Sequence, residues 1–275
     1  MRAACGAAER RINMQRNSNL FWGGVLILLG GLFAFQAAGW ITDVFGWFWP
    51  LFLMLLGVMV LVDRFARPGP GSQEQFSVDL QGAARMMMQL SHGAGSVRMN
   101  GGAPSGVAVT GIKGLAMEMK NHLSGETLTV DLDAGPTFLP FLGPEGGAWV
   151  FELTRDVPVS VKVEAGAASL DFDFTDVRLE FLGVDTGASS LKLRMPAQAG
   201  RTLADIESGA ATIDVTIPAG VAARIRMEQG ASAQAIDQAR FPALGGGIYQ
   251  SPDFESAPNR LEINLEGGAN SVTIR

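Results

Sequence analysis

The sequence predicts a membrane α-helical hairpin joined to an all-β repeat domain that folds as a parallel β-solenoid. Three observations support this fold class. Two apolar stretches of helical length stand near the start of the 275-residue chain. A Gly-Ala motif recurs six times further along, at spacings of 21 or 22 residues in its central copies. Apolar and polar residues alternate on either side of each motif, as they do in a strand with one buried face.

The first element is the membrane hairpin, assigned to residues 19–66. Leu20–Ala38 and Val44–Val62 carry no charged residue, and each is close to the ~20 residues that cross the hydrocarbon core of a bilayer. Tryptophans near their ends suit an interfacial aromatic belt, and they are the predicted membrane anchor: Trp22, Trp40, Trp47 and Trp49. A secretory signal peptide is the alternative for the first stretch, but the second apolar stretch follows almost at once and favours a hairpin.

Basic residues set the expected orientation. Arginines precede the first stretch and follow the second, and none lies in the connection: Arg2, Arg10, Arg11, Arg16, Arg64 and Arg67. Because positive residues stay on the cytoplasmic side, we expect both termini and the β-repeat domain in the cytoplasm, beside the lipid bilayer. Residues 1–18 are expected to form a flexible basic N-terminus, in which Met14 is an alternative start to Met1.

A linker and an acidic domain follow the hairpin. Pro and Gly alternate in residues 67–72 and break a helix there. Residues 73–275 carry 15 Lys and Arg against 24 Asp and Glu, a net charge of −9. An acidic domain without a basic patch is a poor partner for nucleic acid. Cys5 is the only cysteine, which excludes a disulfide framework and a cysteine-rich metal site.

The β-repeat domain is defined by its six Gly-Ala corners. Their glycines are Gly93, Gly166, Gly187, Gly209, Gly230 and Gly268. Apolar residues occupy the fourth and sixth positions after the glycine in five of the six copies. Each unit is therefore a strand, a tight corner and a second strand, and the glycine allows a positive φ or a sharp bend. Because one unit cannot bury its own apolar face, successive units are expected to stack.

A parallel β-solenoid with one unit per coil is the expected arrangement, and a β-sandwich of repeated hairpins is the alternative. In a solenoid, Asp171, Lys192 and Asp214 would lie side by side on the outer face. A carboxylate also stands two residues before the glycine in five copies: Glu164, Asp185, Glu207, Glu228 and Glu266. This acidic column is a candidate edge for divalent cations. The alternative, that each carboxylate bonds its own corner or faces water, is favoured, so we expect no metal and no cofactor.

The regular spacing breaks before the last copy. Residues 243–258 contain three Gly and two Pro, and they are interpreted as a loop or cap, because exposed strand edges need protection. The same segment contains Tyr249 and Phe254, and a loop that binds a partner is therefore the alternative interpretation. The less regular residues 103–160 are expected to form further strands, with a loop at 135–147.

No set of side chains in the sequence suits catalysis. His92 directly precedes a corner glycine, and His122 lies in an expected turn. Asp171 and Asp173 would face outward beside basic side chains, which is unlike the clustered acids of a polysaccharide-cleaving solenoid. We therefore expect a protein that is not an enzyme.

Two parts of the chain resemble known families. Phe21-Trp22-Gly23, the Leu-Leu-Gly triplets and Trp49-Pro50 resemble the membrane hairpin of bacterial LiaF/LiaI-like proteins. The part from AWVFELTRDVPVS to NRLEINLEGGANSVTIR is similar to the toast-rack, adhesin-like β-repeat domains often joined to that hairpin. The resemblance implies an envelope-stress protein of the bacterial inner membrane that restrains or senses for a membrane histidine kinase system. It brings no catalytic residues.

Two functions remain open from the sequence. In the first, the protein is a regulatory binding module that contacts another membrane protein such as a sensor kinase, helped by small residues that allow close helix packing. In the second, it is a structural scaffold whose solenoid ends stack into polymers, so that its partner is itself. The final strand at residues 271–275 has no evident cap and favours stacking, whereas residues 243–258 could cover that end.

Overall fold

The structure is a computed structural model. It describes residues 29–34, 36, 38–40, 43, 45–46, 48–54, 57, 74–113, 117–134, 149–198, 200–230 and 232–275. The chain divides into two compact units, Met1–Ser72 and Gln73–Arg275.

The first unit has helical residues at 29–34 and at 48–54. No helix among the described residues is long and apolar enough to cross a membrane. This finding overturns the membrane hairpin in the predicted fold class. The hairpin was predicted from hydropathy. Hydropathy measures how apolar a stretch is, but it does not measure the length of a helix.

Only part of the predicted anchor lies in the described residues. Trp40 and Trp49 are 76% and 60% exposed. Trp22 and Trp47 lie outside the described residues, as does much of the predicted segment 19–66.

The second unit is built from strands. They are β1 (Glu74–Asp79), β2 (Arg85–Gly101), β3 (Val107–Lys113), β4 (Met117–Ser124), β5 (Thr127–Ala134), β6 (Trp149–Leu153), β7 (Val159–Asp173), β8 (Leu179–Arg194), β9 (Arg201–Thr216), β10 (Ala222–Gln229), β11 (Ala233–Ile236), β12 (Ala243–Gly245), β13 (Ile248–Gln250), β14 (Arg260–Gly267) and β15 (Ser271–Ile274). The predicted loop at 135–147 lies outside the described residues.

Each long strand is one coil of a stack and has a corner near its middle. In β7, inward and outward residues alternate over 159–165, then Gly166 and Ala167 both face outward, and alternation resumes over 168–173. The two outward residues mark the corner, so the halves of the strand belong to two different sheets. Here the halves before the corners form the first sheet, and the halves after them form the second sheet. Both sheets bury their inner side chains in one hydrophobic core.

Neighbouring coils pair in parallel with their corners aligned. On the second sheet, Asp171, Lys192 and Asp214 lie side by side on β7, β8 and β9. This is the register that the repeat spacing predicts for a parallel solenoid. The parallel pairing of these strands excludes a sandwich of repeated hairpins, in which neighbours would be antiparallel.

The order of the coils in space departs from their order in the chain at both ends. β2 lies between β7 and the later β5, and β14 lies between β9 and the earlier β10. β15 likewise lies between β9 and β11 on the second sheet. The repeat predicts that successive units stack in chain order, and this prediction is therefore wrong at these two places. The connections 154–158, from β6 to β7, and 217–221, from β9 to β10, each carry the chain past the position of one coil.

Antiparallel strands cover both ends of the stack. At one end, β4 pairs with β5, β3 with β6, and β1 with β3. At the other end, β13 pairs with β10 and β12 with β13, so residues 243–250 form a hairpin over that edge. The interpretation of this region as a cap is confirmed. Ser271–Ile274 lies inside the stack, so the prediction that it offers an end for polymerisation is wrong.

Candidate binding surface

The acidic column lies on the outer face of the first sheet, one carboxylate per strand. Its members stand side by side in the order Glu164, Asp185, Glu207, Glu266 and Glu228. All five side chains are exposed. Because neighbouring strands are about 4.8 Å apart, the column is a line of negative charge roughly 19 Å long.

The column has few of the features that a cation site needs. No group of three or more His, Cys, Asp or Glu side chains in the described part of the chain could hold a metal ion. Ca²⁺ takes about six to eight oxygen ligands, and one carboxylate per coil supplies few at any one point. The column can attract a cationic surface, through a field that salt screens over about 10 Å.

Charged side chains on the outer face of the second sheet are paired across coils. Three ion pairs join neighbouring strands, with nitrogen–oxygen distances of 3.5, 2.8 and 3.0 Å: Arg98–Asp171, Arg194–Asp173 and Arg275–Asp214. Exposed pairs of this kind contribute up to about 1 kcal/mol each. They hold neighbouring coils in one register.

Asp173 is held by several donors. Its Oδ1 accepts hydrogen bonds from the backbone N–H and the hydroxyl of Thr175, at 3.1 and 2.7 Å. Its Oδ2 accepts one from Arg194 at 2.8 Å. Partial burial acts to raise the pKa of Asp173, but the hydrogen bonds from Thr175 and Arg194 outweigh it, so the pKa lies below its usual value. Asp173 is therefore ionised at neutral pH and closes the turn after β7.

The corner glycines stack with their backbones in contact. A Cβ on Gly187 would lie 2.9 Å from the carbonyl oxygen of Gly166, and Gly209 meets Gly187 at the same distance. None of the six corner glycines has a positive φ. Conformational freedom is therefore not the reason for glycine here; the reason is the close approach of successive corners. At Gly93, no described atom lies within 4 Å of the Cβ position.

A family comparison agrees with this stack of coils. Residues 67–217, more than half of the chain, match the family model described as the N-terminal domain of toast_rack, DUF2154. The chain belongs to the toast-rack family. This confirms the resemblance to toast-rack domains, whereas the LiaF/LiaI-like hairpin is not shown.

One solved structure shares the fold of this chain. The crystal structure of "a putative cell adhesion protein" from Clostridium sporogenes ATCC 15579 is 20% identical, with a TM-score of 0.65, and covers 74% of this chain and 98% of that chain. "A putative adhesin" from Bacteroides fragilis NCTC 9343 covers the same shares at 8% identity, with a TM-score of 0.27. Among curated proteins, none matches this chain. At 20% identity the first likeness shows the fold alone.

The toast-rack domain buries His92 at its first corner. The ring is 3% exposed and its centroid lies 4.5 Å from that of Trp149. Neither ring nitrogen has a hydrogen-bond partner among the described residues, nor does Nε1 of Trp149. Burial lowers the pKa of His92, so its ring is neutral at pH 7. The sequence places His92 at a corner but gives no sign of Trp149, which is distant in the chain.

The other residues considered from the sequence have structural positions in the toast-rack domain. His122 lies on strand β4 rather than in a turn, with Nδ1 4.0 Å from Oδ2 of Asp131. Tyr249 packs partly buried against the core. Phe254 is 3% exposed, beneath the guanidinium of Arg224 at 4.4 Å. Both aromatic side chains belong to the cap and do not form a free binding loop.

Proposed function

We propose that this toast-rack protein is a non-enzymatic binding protein of the bacterial cell envelope that regulates a membrane sensor. The β-repeat domain is the binding part, and the outer faces of its two sheets are the surfaces offered to the partner. A partner with basic residues suits the first sheet, because the domain carries a net charge of −9 and the acidic column concentrates charge there.

One observation supports this proposal most strongly. The charged side chains of the outer faces are held at fixed spacing by the strand register, across β7, β8 and β9. A surface whose groups are already ordered loses little conformational entropy when it binds. The similar protein from Clostridium sporogenes is described as "a putative cell adhesion protein", and adhesion is a binding function.

The cellular location is part of the same proposal. Its support is in the sequence: residues 20–62 carry a single charged residue, Asp43, and arginines flank them on both sides. We propose that the β-repeat domain faces the cytoplasm at the inner membrane, where it would meet the cytoplasmic part of a sensor kinase.

The scaffold alternative has less support. Polymerisation by continued parallel stacking of coils requires the coil at each end to present parallel strand edges. Antiparallel strands pair with β5, β6 and β10 at the ends of the stack, which leaves only the short β11 with an unpaired parallel edge among the described strands.

Site-specific photo-cross-linking in the native cell tests the proposal. A photoreactive amino acid is placed in the full chain at Lys192 on the second sheet or at Glu207 on the first. Ala239, exposed in the turn at 238–240, is the control position. We expect a defined adduct with a membrane sensor protein from at least one face, and none from Ala239. Adducts with only this chain, or no adduct from either face, would contradict the proposal.

A further inference from the structure

Among the described strands, β4 has an edge with no neighbouring strand. In the part of the chain that the structure describes, β4 pairs only with β5. It is eight residues long, which makes it longer than the edge strands β1, β11 and β12. The main-chain N–H and C=O groups along such an edge are a template for another strand.

The core-facing side of β4 is incompletely covered by the described residues. Met119 and Leu123 are 36% and 43% exposed. They stand opposite Leu132 and Leu128 of β5, which are fully buried. In contrast, Val78 on edge strand β1 is 3% exposed. A strand added beside β4 would therefore bury apolar surface, whereas Val78 offers little on β1.

The outer side of β4 carries a charge pattern that complements itself. Lys120 lies opposite Asp131 of β5, but Glu118 lies opposite Asp133. Like charges directly opposite each other destabilise a sheet, so a cation beside Glu118 would stabilise this edge. Lysine on an edge strand usually discourages pairing. Here an antiparallel second β4, centred on Met119, would bring Lys120 of each chain opposite Glu118 of the other.

We infer that two copies of this chain pair edge to edge through residues 117–121 of β4, antiparallel and about a twofold axis at Met119. Glu118 lies opposite the partner's Lys120, and Met119 lies opposite the partner's Met119. The interface uses the same patch on both copies, as twofold dimers do. It goes beyond the proposed regulatory function, because it requires no other protein.

Disulfide cross-linking of the full chain in cells tests this axis. Cys5, the only cysteine, is first replaced by serine. Met119→Cys places two thiols opposite each other with Cα atoms about 4.5–5.5 Å apart, within the range of a disulfide. Asn121→Cys is the matched control on the same side of the same strand, because its two copies stand four residues, about 14 Å, apart.

Charge reversal gives an independent readout. Glu118→Lys and Lys120→Glu each place like charges opposite one another twice, so we expect either change to lower the Met119→Cys dimer yield about tenfold. The double variant with both changes restores opposite charges and should restore the yield. The inference is overturned if Met119→Cys links no better than Asn121→Cys, or if the double variant does not recover. Linkage of Met119→Cys to a different protein instead also overturns it, while leaving the proposed regulatory function standing.

Discussion

The middle of the β-repeat domain and its two ends follow different rules. In the middle, β7, β8 and β9 stack in chain order with corresponding residues side by side. At the ends, β2 and β14 lie one place further inside than chain order gives, and antiparallel strands are added. The repeat motif specifies how two coils pair, but it does not specify which two coils become neighbours.

The physical reason is that the coils present similar edges. The copies at Gly230 and Gly268 offer the same Gly-Ala corner, and β10 and β14 show the same alternation of apolar residues before it, so β9 can accept either β10 or β14 beside it at similar cost. The connections and caps decide between them. β10 carries the hairpin of β12 and β13 on its far side, which suits the outermost position, while the last copy, β14 and β15, fills the place between.

Removing the last coil should have the largest effect. In a chain that ends at Asn259, β9 and β10 lose the strand between them, with Leu261, Ile263 and Leu265, each at most 1% exposed. Each such side chain contributes about 1.5–3 kcal/mol on burial. We expect residues 222–250 to become sensitive to limited proteolysis, whereas removal of Arg275 alone should leave them protected. If the coils stacked in chain order, the shortened chain would keep residues 222–250 as resistant as before.

Replacing a corner glycine by alanine should lower stability more in the middle of the stack than at its end. Gly187→Ala forces a Cβ to within 2.9 Å of the Gly166 carbonyl oxygen, and such overpacking typically costs about 1–3 kcal/mol. Gly93→Ala is the matched control, since its Cβ position is open, and a change within about 0.5 kcal/mol is expected. Chemical denaturation measures the free energy of unfolding of each variant and of the unchanged chain. Equal losses would show that the close approach of the corners is not what requires glycine.

The pH dependence of stability provides a further comparison between the coil of β2 and the coils of β7 and β8. The inward position before the corner is His92 on β2, but Ala165 on β7 and Thr186 on β8. Since burial lowers the folded-state pKa of His92, the unfolded chain takes up its proton first as the pH falls below about 6.5. Stability should be full above that pH and decrease down to the folded-state pKa.

His92→Phe removes this titration and keeps a ring against Trp149. We expect the loss of stability just below pH 6.5 to become shallower in that variant, as followed by denaturation at several pH values. An unchanged pH profile would mean that the buried ring of His92 is not responsible.

The sequence predicts the register of the repeat well, because the Gly-Ala corner and period-2 alternation are local signals. It places Asp171 beside Lys192 and Glu164 beside Asp185, and both pairs are found. It does not predict coil order, which depends on competition between edges of nearly equal quality. The membrane hairpin is wrong, because apolar stretches with tryptophans near their ends indicate composition and do not by themselves establish a membrane-spanning helix.

Some features of the candidate site can likewise be predicted from the sequence, and others cannot. The acidic column follows directly from the register, so the sequence finds its members. The contact between His92 and Trp149 joins distant parts of the chain through β2–β6 pairing, for which no motif exists. The edge of β4, which has no neighbour among the described strands, was equally hidden, since an edge is defined by the absence of a neighbouring strand.

The exchanged coil order is the central feature of this fold, and one pair of disulfides tests it. Thr212 lies opposite Ser271, and Ser271 lies opposite Ala233. With Cys5 replaced by serine, Thr212→Cys with Ser271→Cys should form an intramolecular disulfide, since adjacent strands are about 4.8 Å apart. Thr212→Cys with Ala233→Cys should not, because two strand spacings, about 9.6 Å, exceed the reach of a disulfide. The opposite result, linkage of Thr212 to Ala233 and not to Ser271, would show that the coils stack in chain order.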